Sequence, residues 1–202
     1  MENRPFFVSA VLLAAGRAKR MGRPKLLMPF RDSTILEQAI DNLLGSRVDE
    51  LIVVLGDDTR ELAGRIRGRR LTIVENPEAE RGMSTSIVAG LRVVHRSATA
   101  LMIALADQPL VDRKVVDRLI AEFQRGGKDI VVPTFKGARG NPVIFSVKYR
   151  EDQLKLTGDV GGRTIIEGHP DDVLEVPVGA EGVSVDIDTP EDYARLAGKE
   201  NA

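Results

Sequence analysis

VLLAAGRAKRMGRPKLLMPF occupies residues 11–30. The run that leads into it, Phe6 to Leu13, is almost wholly apolar and suits a strand buried on both faces of a parallel sheet. Two small residues follow, Ala14 and Ala15, then Gly16. The loop after them carries Arg17, Lys19, Arg20, Arg23 and Lys25 without one acidic residue. Small side chains let backbone N–H groups approach a polyphosphate, and the cations neutralise it. Two well-known phosphate loops do not fit. A Walker loop has four residues between its glycines and Ser or Thr after its lysine; here five separate Gly16 from Gly22, and Leu26 follows Lys25. The dinucleotide fingerprint fails as well, because Arg17-Ala18 stand where its second glycine belongs.

Outward from this loop, composition narrows the function. The 202 residues suit one domain, with roughly 70% of the unfolded surface buried on folding. A net charge of −1 argues against a nucleic-acid binder, so the basic loop is a local site. Without cysteine there is no disulfide, thiol nucleophile or thiolate metal site. Two histidines, His95 and His169, cannot build a His-rich zinc centre. A metal would be held by oxygen ligands, which points to magnesium or a similar hard cation. Residues 1–16 mimic a signal peptide, yet their removal would delete the first strand and half of the phosphate loop. No apolar segment is long enough to span a membrane, and the expected location is the cytoplasm.

Apolar strand-like runs alternate with amphipathic segments along the chain, the pattern of a Rossmann-like, doubly wound α/β sheet with helices on both faces. Strands are expected at 51–55, 71–74, 99–105 and 129–133, with a helix over 112–125 and another capped by Ser33 or Thr34. Ser84, Thr85 and Ser86 lead a further helix, and one of them is expected to cap it. The alternation weakens after residue 129, so a mixed sheet is expected there, ending in short strands at 174–176 and 183–185. With no internal repeat or linker, residues 1–202 read as a single domain. Residues to about 110 should bind the nucleotide and residues from about 111 the acceptor.

Several residues stand where chemistry would occur. Asp107, in Ala106-Asp107-Gln108-Pro109, lies just past a strand end, where ligands of open α/β sheets collect. Opposite the basic loop it could hold magnesium against a nucleotide phosphate. Asp186 and Asp188 alternate along an extended segment and so face one side; Asp188 could instead cap the last helix. Three hydroxyls beside Gly82 suit reading of a base edge. Arg139, Asn141 and Arg163 lie in glycine-rich turns whose glycines alone would not call for them.

Leu13-Ala14-Ala15-Gly16, Arg20-Met21-Gly22 and Lys25 resemble the LAAG-x-x-x-RMG-x-x-K signature of the MobA-like nucleotidyltransferases, although Ala18-Lys19 stand where members often carry Ser or Gly. The resemblance extends through residues 75–91, 105–109, 137–145, 158–163 and 185–193, nearly the whole chain. Its nearest branch is the molybdenum cofactor cytidylyltransferases. It implies that Leu13, Ala14, Ala15, Gly16, Arg17, Arg20, Lys25, Gly82, Ser84 and Ser86 bind the nucleotide, with Arg20, Lys25 and Asp107 acting in catalysis. Asp107 with Asp186 or Asp188 would hold Mg2+. Arg139, Asn141, Asp159, Gly161 and Arg163 would face the acceptor. GMSTSIVAGL is similar to the base-contacting segment of cytidylyltransferases, which favours CTP over GTP. The implied acceptor is molybdopterin, and the implied recipient of the product a molybdenum hydroxylase. Two alternatives are a guanylyl- or sugar-phosphate nucleotidyltransferase and, of another class, a non-catalytic cofactor delivery protein.

Overall fold

The computed structural model describes residues 6–16, 24–56 and 60–198. Its spine is β1 (Val8–Ala14), buried at every position. β1 pairs in parallel with β4 (Glu50–Leu55) on one side and β6 (Ala100–Leu105) on the other. β5 (Thr72–Glu75) continues the sheet beyond β4. Beyond β6 lie β9 (Val143–Ser146), β7 (Ile130–Phe135) and β10 (Val173–Pro177), giving the order β10-β7-β9-β6-β1-β4-β5. β9 runs antiparallel to both neighbours, and β8 (Ala138–Arg139) adds a short antiparallel pair to the end of β7. The sheet is thus mostly parallel and becomes mixed in the second half of the chain. A small hairpin, β2 (Pro29–Phe30) with β3 (Ser33–Thr34), stands apart.

Alternation along β1 divides the core into two layers. Ala10, Leu12 and Ala14 face one apolar cluster, shared with α1 (Ile35–Leu44), α2 (Arg60–Ile66), α4 (Arg113–Arg125) and α7 (Pro190–Gly198). Val11 and Leu13 face the other, with α3 (Met83–Val93), α5 (Arg150–Leu154) and α6 (Arg163–Gly168). Local rules start several helices. Thr34 caps α1 in a capping box with Glu37, and Asp112 caps α4 by accepting the Val115 N–H at 2.9 Å. Thr189 forms the same box with Asp192 ahead of α7, which relieves Asp188 of that task.

Two expectations fail. Residues 183–185 form no strand: Glu181–Ser184 is a 3-10 turn, and the chain beyond it is extended but unpaired in the sheet. Its polar groups are satisfied across loops instead, since the Val183 carbonyl accepts the Asn141 N–H at 2.8 Å. Nor does a hydroxyl cap α3. The N-cap is Gly82, at φ +117°, and the open end of the helix is met from outside by Asp159 Oδ1, which accepts the Met83 N–H at 3.2 Å.

Gly82 thereby ties a strap, residues 157–162, to α3. A Cβ on Gly82 would lie 2.3 Å from the Gly158 carbonyl carbon, so the two backbones touch where no side chain fits. Ser84 Oγ donates to the Gly158 carbonyl at 2.7 Å and clamps the contact. A second close approach is Gly90, on the inner face of α3, whose Cβ would stand 2.4 Å from Val11 Cγ1 and 3.0 Å from Val54 Cγ2.

Gly90→Ala should therefore wedge α3 off β1 and β4 and lower unfolding stability by roughly 1–3 kcal/mol in urea titrations. Gly82→Ala, strained in φ as well as in space, should cost roughly the same or more and release the strap, visible as faster backbone amide exchange at residues 158–162. Unchanged exchange there would refute the clamp.

Candidate active site

The strand order reverses at β1, and the carboxyl ends of β1 and β6 meet at that reversal, Leu13 standing opposite Leu105 and the Ala106 N–H donating to the Leu13 carbonyl at 3.1 Å. This is where open α/β sheets place their ligands. A cleft of about 720 Å³ opens there, floored by Leu13, Ala14, Ala15 and Gly16. Lys25, Gly82, Ser86 and Asp107 line it too, together with Asp159, Asp186 and Asp188 from the second half of the chain. Arg17 and Arg20 lie outside the described residues.

Lys25 enters from a 3-10 turn, Lys25–Leu27, that packs under α1. Only 8% of its surface is exposed, and its Nζ lies 2.7 Å from Asp107 Oδ2 and 2.7 Å from Asp188 Oδ1. The two aspartates come from segments far apart in sequence, and the chain joins them deliberately. Ile187, fully buried, anchors the C-terminal segment in the core and donates its N–H to the Asp107 carbonyl at 3.0 Å. Its neighbours Asp186 and Asp188 therefore line the cleft, as alternation in an extended segment requires. Two glycines let the segment lie this close: a Cβ on Gly140 would sit 2.0 Å from the Val183 carbonyl oxygen, and one on Gly182 would sit 2.6 Å from Leu110 Cβ.

Among the described residues, three carboxylates and one ammonium share this space. Burial pushes the Asp186 carboxyl above its ordinary pKa, and the nearby Asp107 and Asp188 charges add to the rise; the Gln108 amide, donating to Asp186 Oδ1 at 2.7 Å, opposes it. Burial works to lower the Lys25 pKa, but the Asp107 charge and hydrogen bond, joined by those of Asp188, outweigh it and leave the ammonium above its ordinary value. Asp107 Oδ1 is buried and has no hydrogen-bond partner among the described residues. Among those residues, no group of three or more His, Cys, Asp or Glu side chains stands ready to hold a metal, and Lys25 lies between Asp107 and Asp188. The donors present are nonetheless all carboxylate oxygens, one of them unsatisfied, which fits a hard divalent cation.

The hydroxyls of α3 divide. Ser84 is fully buried and spends its hydrogen on Gly158, so it presents nothing to the cleft. Thr85 Oγ1 donates to the Gly82 carbonyl, and Asn76 Nδ2 donates to Thr85 Oγ1 and Ser86 Oγ at 2.9 Å each. Ser86 alone of the three lines the cleft.

A second cavity, of about 570 Å³, adjoins the first. Its wall is apolar, with Ile103, Val132, Val143 and Phe145, and Arg139, Asn141, Gly161 and Arg163 line it as well. Arg139 pairs with Glu175 at 2.7 Å and Arg163 with Glu167 at 2.7 Å, both in solvent-exposed ion pairs. Asp159, expected with this group, instead lies on the first cleft at the α3 N-terminus. Met83 and Leu105 line both cavities. Sequence reasoning assigned nothing to Met83, Gln108 or Asn76, although each sits beside a residue it did single out. His95 and His169 are exposed, stacked on Phe7 and tilted against Tyr149.

A family model of the MobA-like NTP transferase domain matches residues 10–173. The chain is 31% identical to a nicotine blue oxidoreductase of Paenarthrobacter nicotinovorans, over 94% of this chain and 96% of that one. It is 27% identical to the molybdenum cofactor cytidylyltransferase of Escherichia coli, over 92% and 93%. Its fold matches the crystal structure of Rv0371c from Mycobacterium tuberculosis with a TM-score of 0.85 at 30% identity, covering 96% of this chain and 98% of that one. A further structure of that protein, a complex with manganese, matches at a TM-score of 0.79 and 30% identity over 96% and 99%. The chain belongs to the MobA-like NTP transferase family and is a nucleotidyltransferase.

Proposed function

We propose that the protein transfers CMP from CTP to the terminal phosphate of molybdopterin, with magnesium as its cofactor, and releases pyrophosphate. The observation that carries this reading is the meeting of Lys25 with Asp107 and Asp188 beside Ala14-Ala15-Gly16, one shared wall away from a second cavity. The first cleft offers close backbone approach, a cation and carboxylates, which suits a metal-bound triphosphate. The second offers an apolar wall with two arginines and an asparagine at its edge, which suits a flat heterocycle carrying a phosphate.

The reaction forms a bond between an acceptor phosphate oxygen and the α-phosphorus of CTP and breaks the bond to the bridging oxygen of the β-phosphate, whose electrons leave with pyrophosphate. No protein nucleophile or base is needed, because the acceptor phosphate is already an anion at neutral pH. Asp107, with Asp186 or Asp188, would hold magnesium, which supplies charge neutralisation at the phosphates when bound. Lys25, with Arg20 from the same loop, would stabilise the leaving pyrophosphate. Orientation is the larger task, since two anions that repel must be held in line. Residues to about 110 would chiefly hold the nucleotide and later ones the acceptor, with Asp186 and Asp188 closing the nucleotide side.

Cytidine is favoured by the GMSTS run and by the cytidylyltransferase relative. The spacing after β1 does not fit the dinucleotide fingerprint, so the proposal follows the transferase relative and not the oxidoreductase. A cytoplasmic enzyme handing its dinucleotide product to a molybdenum hydroxylase would complete the picture.

A thermal-shift panel of CTP, GTP, ATP and UTP with and without magnesium tests the assignment. A nucleotide at a hundred times its dissociation constant should add roughly 2.7 kcal/mol, and CTP with magnesium should give the largest shift. Equal shifts for all four would remove cytidine. Pyrophosphate release with CTP and molybdopterin separates transfer from mere delivery of a finished cofactor. In that assay Asp107→Asn should lower kcat/KM about a hundredfold, or about 3 kcal/mol in the barrier.

A further inference from the structure

Lys25 is engaged in a way that phosphate binding does not require. Its ammonium is turned onto two carboxylates, 2.7 Å from Asp107 Oδ2 and 2.7 Å from Asp188 Oδ1, and the residue is 8% exposed. Both contacts have the length of charge-assisted hydrogen bonds, and they occupy two of an ammonium's three donors. Among the described residues, Asp107 Oδ1 is buried without a hydrogen-bond partner, and Asp186 takes a hydrogen bond from a neutral amide, Gln108.

Two cations cannot comfortably share these oxygens. At a separation of about 4 Å in a partly buried site, like charges repel by several kcal/mol. A lysine has the reach to resolve the conflict, since its flexible stem carries a compact charge that can swing between partners. Resting on the reading that these carboxylates hold a divalent ion, we infer that Lys25 is the resident cation of the acidic cluster, competing with that ion for Asp107 and Asp188. Lys25 can turn all three donors to a phosphate only after it has left them. The lysine therefore has two positions, carboxylate-bound in the protein alone and phosphate-bound in the loaded cleft. Its removal should help one ligand and harm the other.

The test uses Mn2+ alone, without nucleotide, titrated into the full chain and followed by electron paramagnetic resonance of the free ion. Lys25→Met should bind Mn2+ roughly tenfold tighter than the parent protein, because a competing unit charge has gone. Lys25→Arg keeps the charge and should stay within about twofold of the parent. Removing the ammonium leaves carboxylates facing one another, so Lys25→Gln, which retains a donor, is measured beside Lys25→Met and should also bind more tightly. Thermal melts supply a second readout: Lys25→Met should melt below the parent without Mn2+ and gain more from its addition.

Asp107→Asn separates the two layers of the argument. If it weakens Mn2+ binding while Lys25→Met and Lys25→Gln bind no better than the parent, the competition is refuted and the metal assignment stands. If Asp107→Asn binds Mn2+ as the parent does, the metal assignment falls and the inference falls with it.

Discussion

Three carboxylates crowd the carboxyl end of the two central strands, and the ammonium of Lys25 is what makes that crowding tolerable. In a site of low effective dielectric, unit charges a few ångströms apart repel by several kcal/mol, and burial adds a cost for each charge taken from water. The raised pKa of Asp186 registers that pressure directly. The rest of the architecture serves to hold the arrangement against it. Ile187 is sunk in the core between Asp186 and Asp188, its N–H is tied to the Asp107 carbonyl, and Gly140 and Gly182 let the returning chain lie flush on the loops beneath.

The sheet explains why the charges meet there and nowhere else. β1 lies between β4 and β6, and the chain turns back at that point, leaving a crevice that the flanking helices cannot fill. The antiparallel β9 then carries Val143 and Phe145 up beside β6, which gives the second cavity an apolar wall directly against the first. The two cavities follow from one topological choice.

Much of this was legible in the sequence. The continuous apolar run of β1, the small residues after it and the amphipathic spacing of α1 and α4 report their own burial, since periodicity is a local property. The signature around Lys25 and the ADQP segment pointed to the site because such motifs encode backbone shape and charge together. What stayed hidden depends on partners distant in the chain. Val183–Val185 has the composition of a strand, but Glu181–Ser184 folds as a 3-10 turn and the Val183 carbonyl is taken by the Asn141 N–H from another loop. The hydroxyls of Ser84 and Thr85 look like caps, yet the end of α3 is met by Asp159, 76 positions further on. Asp159 was expected on the acceptor side for the same reason: its neighbours in sequence line one cavity while its own carboxylate lies on the other. Met83 gave no local signal at all, because its importance lies in being common to both cavities.

That common wall ties the shape of one cavity to the shape of the other. Met83 is flexible and partly exposed, and behind it stands Gly161, whose Cβ, if it had one, would lie 3.0 Å from the thioether sulfur. Leu105 belongs to the same wall, so a different side chain at position 83 would reshape both cavities at once.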